Sequence, residues 1–135
     1  MNRYQSSGFS LIELMIVVGI MGIIAAVGAA YYGDYIIDAN RTDARTALSR
    51  TASSLEKCKS VYSNYNSANC NVVFPVISDD GYYSIASTVL TGAAFTLTAT
   101  PVAGQPQASD ADCTSFTLTH TGIEDGTPAG ANECW

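Results

Sequence analysis

A long apolar segment near the start of the chain constrains this protein most strongly. Residues 14–33 carry no charge and are largely apolar, and one acidic residue, Glu13, immediately precedes them. A helix of about 20 residues rises about 30 Å, which is the thickness of a bilayer's hydrocarbon core. The segment therefore predicts a membrane-spanning helix. Since an ionised carboxylate in such a helix costs roughly 2.5–3.5 kcal/mol, we expect Glu13 to meet a partner charge.

The residues before Phe9 form a short polar leader with one cation, Arg3, on the expected cytoplasmic side. A secretory signal places its cleavage site after the apolar region. Here the polar leader ends at Gly8, before the apolar region begins. Cleavage between Gly8 and Phe9 would therefore leave the apolar helix on the mature chain.

The sequence at this boundary resembles that of a known family. Residues 8–18, Gly-Phe-Ser-Leu-Ile-Glu-Leu-Met-Ile-Val-Val, are similar to the class III signal of type IV pilins and pseudopilins. The resemblance implies cleavage after Gly8 by a prepilin peptidase and methylation of the new amino group of Phe9. It implies that Glu13 pairs with the N-terminal amine of an adjacent subunit. It also implies an inner-membrane precursor and an extracellular pilus filament, or fimbrium, of homo- or hetero-oligomeric pilin subunits.

The periodicity of apolar residues predicts that the helix continues past the membrane span to about Val61. Apolar residues recur at three-, four- and seven-residue intervals and give one stripe. Its members are Ile37, Ala44, Leu48, Ala52, Leu55 and Tyr62. Such a stripe needs a cover, which the second half of the chain can supply.

That second half has the pattern of an antiparallel sheet. Apolar residues alternate with threonine at 95–100 and 116–119, and weaker strand patterns lie at 82–87 and 89–90. Turns are predicted at Asp79-Asp80-Gly81 and Glu124-Asp125-Gly126, and a loop at 101–111. The predicted fold is α+β, the type IV pilin fold, with a long N-terminal helix packed on an antiparallel sheet. We expect a leader at 1–8, a hydrophobic transmembrane and assembly helix at 9–33 and a globular domain at 34–135.

Four cysteines, Cys58, Cys70, Cys113 and Cys134, lie in the part of the chain expected outside the cytoplasm. Their even number predicts two disulfides, for which three connectivities are possible. The local pairing, Cys58–Cys70 and Cys113–Cys134, closes two short loops without a long-range crossing, and we expect it. The rival is a zinc site, but no pair has Cys-x-x-Cys spacing and His120 stands alone. The order of residues from Leu55 to the ending Cys134-Trp135 also resembles that of PilE-like pilins.

Charge is distributed unevenly along the chain. Every cation after the leader lies between Arg41 and Lys59, namely Arg41, Arg45, Arg50, Lys57 and Lys59. A basic patch is typical of nucleic-acid binding. However, Asp34, Asp38 and Asp43 interleave with the arginines, which favours a solvated or inter-subunit face.

Catalytic chemistry finds little support in this sequence. The one histidine, His120, ends a threonine-rich strand, where a surface or edge position is expected. Asp110 and Asp112 could offer oxygens to calcium, but without the spacing of a calcium loop they are interpreted as solvated loop acids. Tyr31, Tyr32 and Tyr35 are interpreted as an aromatic belt at the membrane surface. We therefore predict no enzyme, no catalytic residues, no metal and no cofactor.

The function that ranks first is a structural subunit, a pilin or minor pilin, of a type IV pilus that supports adhesion, twitching motility or DNA uptake. Its expected partners are other pilin subunits, the prepilin peptidase and the inner membrane. The alternatives are a DNA-binding pilin receptor for natural transformation and a type II secretion pseudopilin. A receptor would have to use the five cations between Arg41 and Lys59. Because acids outnumber cations after residue 34, DNA is possible but not favoured, and no specific binding is expected.

Overall fold

The computed structural model describes residues 9–128 and 131–135, so the predicted leader and Gly8 lie outside the described residues. Its first element is one long helix, α1 (Leu11–Tyr62). At its start, the Ser10 backbone N–H donates to the Glu13 carboxylate at 3.0 Å, as in half of a capping box. At its end, Ser63 takes a left-handed φ of 56° and its N–H bonds to the Lys59 carbonyl, which terminates the helix.

The chain divides into two compact units. The first unit extends to Ile36 and contains an 18-residue window, Leu11–Gly28, with a mean hydropathy of 2.5 and no residue buried inside the protein. By length and composition this part of α1 is able to cross a membrane.

The second unit, Ile37–Trp135, contains a five-stranded antiparallel sheet. Its strands lie side by side in chain order: β1 (Val76–Ile77), β2 (Tyr83–Leu90), β3 (Phe95–Pro101), β4 (Cys113–Thr119) and β5 (Glu124–Pro128). A 3-10 helix (Pro106–Ser109) interrupts the β3–β4 loop, and a short helix, α2 (Ala131–Cys134), follows β5.

The core of the second unit lies between α1 and one face of the sheet. Alternation along the strands points one set of side chains toward the helix and leaves threonine on the other face. The buried helix residues include Ala44, Leu48 and Leu55, and the buried strand residues include Tyr83, Ile85, Phe95, Leu97, Ala99 and Phe116. The predicted α+β fold and the predicted end of the helix are therefore confirmed.

One predicted turn is wrong. Glu124, Asp125 and Gly126 lie in β5, where Gly126 is buried and pairs with Phe116 of β4. The chain reverses earlier, at Gly122, which has a φ of 78° and whose N–H bonds to the Thr119 carbonyl at 3.0 Å. An acidic residue followed by glycine is common in turns, but here the pair lies within the edge strand β5.

Two disulfides lie in the second unit, one at the end of α1 and one at the start of β4. Cys58 is joined to Cys70, with 5.6 Å between the Cα atoms, and Cys113 is joined to Cys134, with 5.7 Å. These are the two local pairs that the sequence predicts. The first fixes the loop that leaves α1, and the second ties the start of β4 to α2.

Candidate functional site

Arg41 belongs to the core of the second unit and not to a basic surface. Its guanidinium forms two hydrogen bonds with Asp110, Nε to Oδ2 at 2.8 Å and Nη2 to Oδ1 at 2.9 Å. Its Nη1 also donates to Asp38 at 3.1 Å. The interpretation of Arg41 as part of a solvated or inter-subunit face is wrong, because only 9% of the residue is exposed.

Asp110 completes this buried ion pair. Its Oδ1 accepts the backbone N–H groups of Asp112 and Cys113, both at 3.1 Å. Burial alone would raise the pKa of the Asp110 carboxyl, but the hydrogen bonds from Arg41 and the backbone outweigh burial and lower that pKa below 3.8. The interpretation of Asp110 as a solvated acid is therefore wrong. Asp112 is a solvated acid as predicted, because 81% of its side chain is exposed.

Three more cations of the basic segment have partners inside the second unit. Arg45 Nε donates to the Cys134 carbonyl at 3.0 Å. Lys59 Nζ donates to the Gly92 carbonyl at 2.8 Å and lies 4.8 Å from the centre of the Tyr65 ring. Arg50 forms an ion pair with Asp79, in which both side chains are largely exposed.

Lys57 differs from the other four. It is exposed, and its ammonium group forms no hydrogen bond or ion pair with any residue in the two described ranges. It lies on the rim of a groove of about 340 Å³ between the last turns of α1 and the loop that follows them. We call this the helix-end groove; it is lined by Ser54, Lys57, Cys58, Val61, Tyr62, Asn69, Cys70, Asn71 and Val72.

A second groove, of about 310 Å³, continues from the first. It is lined by Arg50, Thr51, Ser54, Asn71, Val72, Val73 and Val76, so the two grooves share Ser54, Asn71 and Val72. We call it the strand-side groove. Arg50 and Lys57 lie seven residues apart on α1, which is about two helical turns. They therefore lie on one face of the helix.

The side chains around the helix-end groove are of types that bind nucleic acids. A lysine ammonium contacts phosphate, an exposed tyrosine ring stacks on a base, and asparagine amides bond to base edges. Tyr62 is 45% exposed, although it was expected to belong to the apolar stripe of α1. That expectation is wrong for Tyr62, because the core ends at Leu55 and Cys58.

The other residues singled out from the sequence do not line the two grooves. Glu13 lies in the first turn of α1 and Phe9 lies two residues before the helix begins, both in the first unit. His120 packs edge-on against the rings of Tyr65 and Phe95, at centroid distances of 6.5 Å and 6.2 Å. Among the described residues there is no cluster of three or more histidine, cysteine, aspartate or glutamate side chains that could hold a metal ion.

Comparison with known families and structures gives two family matches. Residues 30–117 match the family described as "Type IV minor pilin ComP, DNA uptake sequence receptor". Residues 3–29 match the "Prokaryotic N-terminal methylation motif".

Individual relatives share 36% or 20% of their residues with this chain in the matched region. Two Pseudomonas aeruginosa proteins named "Fimbrial protein" are 36% identical to this chain over 88 residues, covering 63% of this chain and 53% of each relative. The chain thus spans about half the length of these curated relatives. The non-core minor pilin PilV of Neisseria meningitidis has a similar structure, with a TM-score of 0.52 at 20% identity. That match covers 70% of this chain and 91% of PilV, and it supports the fold alone.

Proposed function

The chain belongs to the ComP family of type IV minor pilins, and from that membership we propose that its globular unit is a DNA receptor that acts during DNA uptake. The observation that carries the proposal is the position of the family match. It runs from residue 30 through most of β4, so it covers most of the globular unit and not only the N-terminal helix that pilins share.

From the sequence alone the receptor function ranked second. A structural filament subunit ranked first there, because the acidic composition argued against binding to phosphate. The family match favours the receptor function instead, and the structure offers one exposed, unengaged lysine for it, within the part that it describes.

We propose that the receptor reaches its place of action by the pilin route. The prepilin peptidase cuts after Gly8, the new amino group of Phe9 is methylated, and Glu13 pairs with the N-terminal amine of a neighbouring subunit. The methylation-motif match at residues 3–29 supports this route. The subunit then leaves the inner membrane and enters an extracellular filament.

Within the globular unit we place the DNA contact at the helix-end groove. Lys57 supplies a positive charge, Tyr62 an exposed ring, and Asn69 and Asn71 exposed amides. Beyond Lys59 the chain has no lysine or arginine at all. The groove is therefore the place where a cation and base-binding side chains occur together.

We predict that Lys57→Gln weakens DNA binding about tenfold, because a hydrogen bond to a charged group contributes roughly 1.5 kcal/mol. The measurement is fluorescence anisotropy with labelled fragments of the host's genomic DNA and the full chain in detergent micelles. The matched control is Thr100→Glu, which makes the same change in net charge at an exposed position on β3. Equal affinity of wild type and Lys57→Gln would contradict the placement of the site. Absence of binding by the wild type would contradict the receptor function.

A further inference from the structure

We propose that this receptor holds DNA through at most two phosphate contacts, made by Lys57 and Arg50, and that Asp79 masks Arg50. The affinity then depends only weakly on salt, and uncharged side chains of the two grooves supply most of it. This inference rests on the proposed function, and it describes how the same site binds its DNA.

Three of the five cations in the globular unit are bonded within the fold. Arg41 is buried against Asp110, Arg45 donates to the backbone of Cys134, and Lys59 donates to the backbone of Gly92. These three side chains hold the fold together, and none of them is fully exposed. Among the cations that the structure describes in this unit, Arg50 and Lys57 are the two that are largely exposed, while Arg45 and Lys59 are half-buried.

The part of the globular unit that follows α1 is strongly acidic. From Ser60 to Trp135 there is no lysine or arginine, while seven acidic residues are present: Asp79, Asp80, Asp110, Asp112, Glu124, Asp125 and Glu133. A DNA backbone that extended from the grooves across the sheet would meet like charges. The phosphate contact is therefore confined to one face of α1.

Arg50 is engaged in an ion pair with Asp79. Its Nη1 bonds to both carboxylate oxygens of Asp79, and the side chains of Arg50 and Asp79 are 59% and 64% exposed. An exposed pair of this kind contributes little to stability. It nevertheless places a negative charge where a phosphate would bind, so DNA has to displace Asp79 before Arg50 can bind a phosphate.

The two cations lie about 10.5 Å apart along the axis of α1, because seven residues separate them. This separation allows each cation to contact a different phosphate of one DNA site. Between the two cations, the shared wall of the grooves presents Ser54, Asn71 and Val72. An asparagine amide can bond to both N6 and N7 of adenine in the major groove, which favours duplex DNA with adenine near the contacted phosphates.

The test is the salt dependence of binding by the full chain in detergent micelles, with 200-base-pair fragments of host genomic DNA as the probe. Each phosphate contact contributes about −0.9 to the slope of log K against log salt, so the wild type is expected to show a slope of about −1 to −2. Asp79→Asn should make the slope more negative by up to about 0.9 and raise the affinity at low salt, because Arg50 is freed. The matched control is Glu124→Gln, which makes the same charge change in exposed strand β5 at the other edge of the sheet.

The outcomes separate this inference from the function on which it rests. A wild-type slope of about −4 or steeper would overturn the limit of two contacts and leave the receptor function standing. Identical effects of Asp79→Asn and Glu124→Gln would overturn the masking by Asp79. Absence of binding at every salt concentration would overturn the receptor function itself. Trp135 fluorescence of each variant confirms that the globular unit is folded.

Discussion

Asp110→Ala is expected to lower the free energy of unfolding of the globular unit by about 3–5 kcal/mol, because it leaves the buried Arg41 guanidinium without its main partner. Two backbone N–H groups, those of Asp112 and Cys113, lose their acceptor at the same time. The cost is therefore the desolvation of a charge together with two unsatisfied donors. The measurement is chemical unfolding of the full chain in detergent, followed by the fluorescence of Trp135.

The control for this prediction is Asp112→Ala. The Asp112 side chain is 81% exposed and lies 3.7 Å from Arg41, so its removal should change stability by less than about 1 kcal/mol. Equal effects of the two variants would contradict the assignment of the buried pair to Asp110.

The Asp110 effect should also depend on pH with a definite sign. Because folding lowers the pKa of Asp110 below 3.8, the carboxylate contributes its full stabilisation above about pH 4. That contribution is lost as the pH falls through the lowered pKa of the folded state. Arg41 stays charged over this range, because the hydrogen bond to Asp110 raises the pKa of the guanidinium above its usual value. The difference between wild type and Asp110→Ala should accordingly shrink in acid.

Glu13→Val is expected to abolish incorporation of the subunit into filaments while sparing membrane insertion. Valine removes a carboxylate whose presence in the membrane is costly, so insertion becomes more favourable. The same change removes the charge that we propose to pair with the amine of Phe9 in a neighbouring subunit. In the isolated chain the carboxylate only accepts the Ser10 N–H, an exposed hydrogen bond at the start of α1.

The measurement for Glu13→Val is the amount of the subunit in sheared filaments relative to that in the membrane fraction. N-terminal sequencing checks in the same samples that the mature chain begins at Phe9. Asp34→Asn is the matched control, because it removes an exposed acid from the same unit and should assemble normally. Normal incorporation of Glu13→Val would contradict the proposed pairing.

Periodicity predicted the main elements of this fold because those elements are long or regular. The stripe from Ala44 to Leu55 and the threonine alternation around Leu97 each report directly on one buried face. β1 and α2 were not predicted, since two and four residues are too short to show a period. β5 was missed because the Glu124-Asp125-Gly126 sequence within it is typical of a turn.

The contacts that define the site could not be predicted from local patterns. Arg41 and Asp110 are 69 residues apart, and the spacing of Arg41 from Asp38 suggested a solvated helix face instead. The helix-end groove is formed partly by Asn69 and Asn71, in a loop with no regular pattern, whose path depends on the Cys58–Cys70 disulfide. Which cations are engaged and which are exposed is likewise a property of tertiary structure.

Deletion of this gene in its natural host, with filaments and DNA uptake measured in the same cells, tests the central claim most directly. A minor pilin that acts as a DNA receptor should be dispensable for the filament and required for uptake. We therefore expect filaments to remain visible by electron microscopy while uptake of labelled host DNA falls to background. Uptake should return with the wild-type gene and only partly with Lys57→Gln. Loss of the filaments, or normal DNA uptake without the gene, would contradict the account.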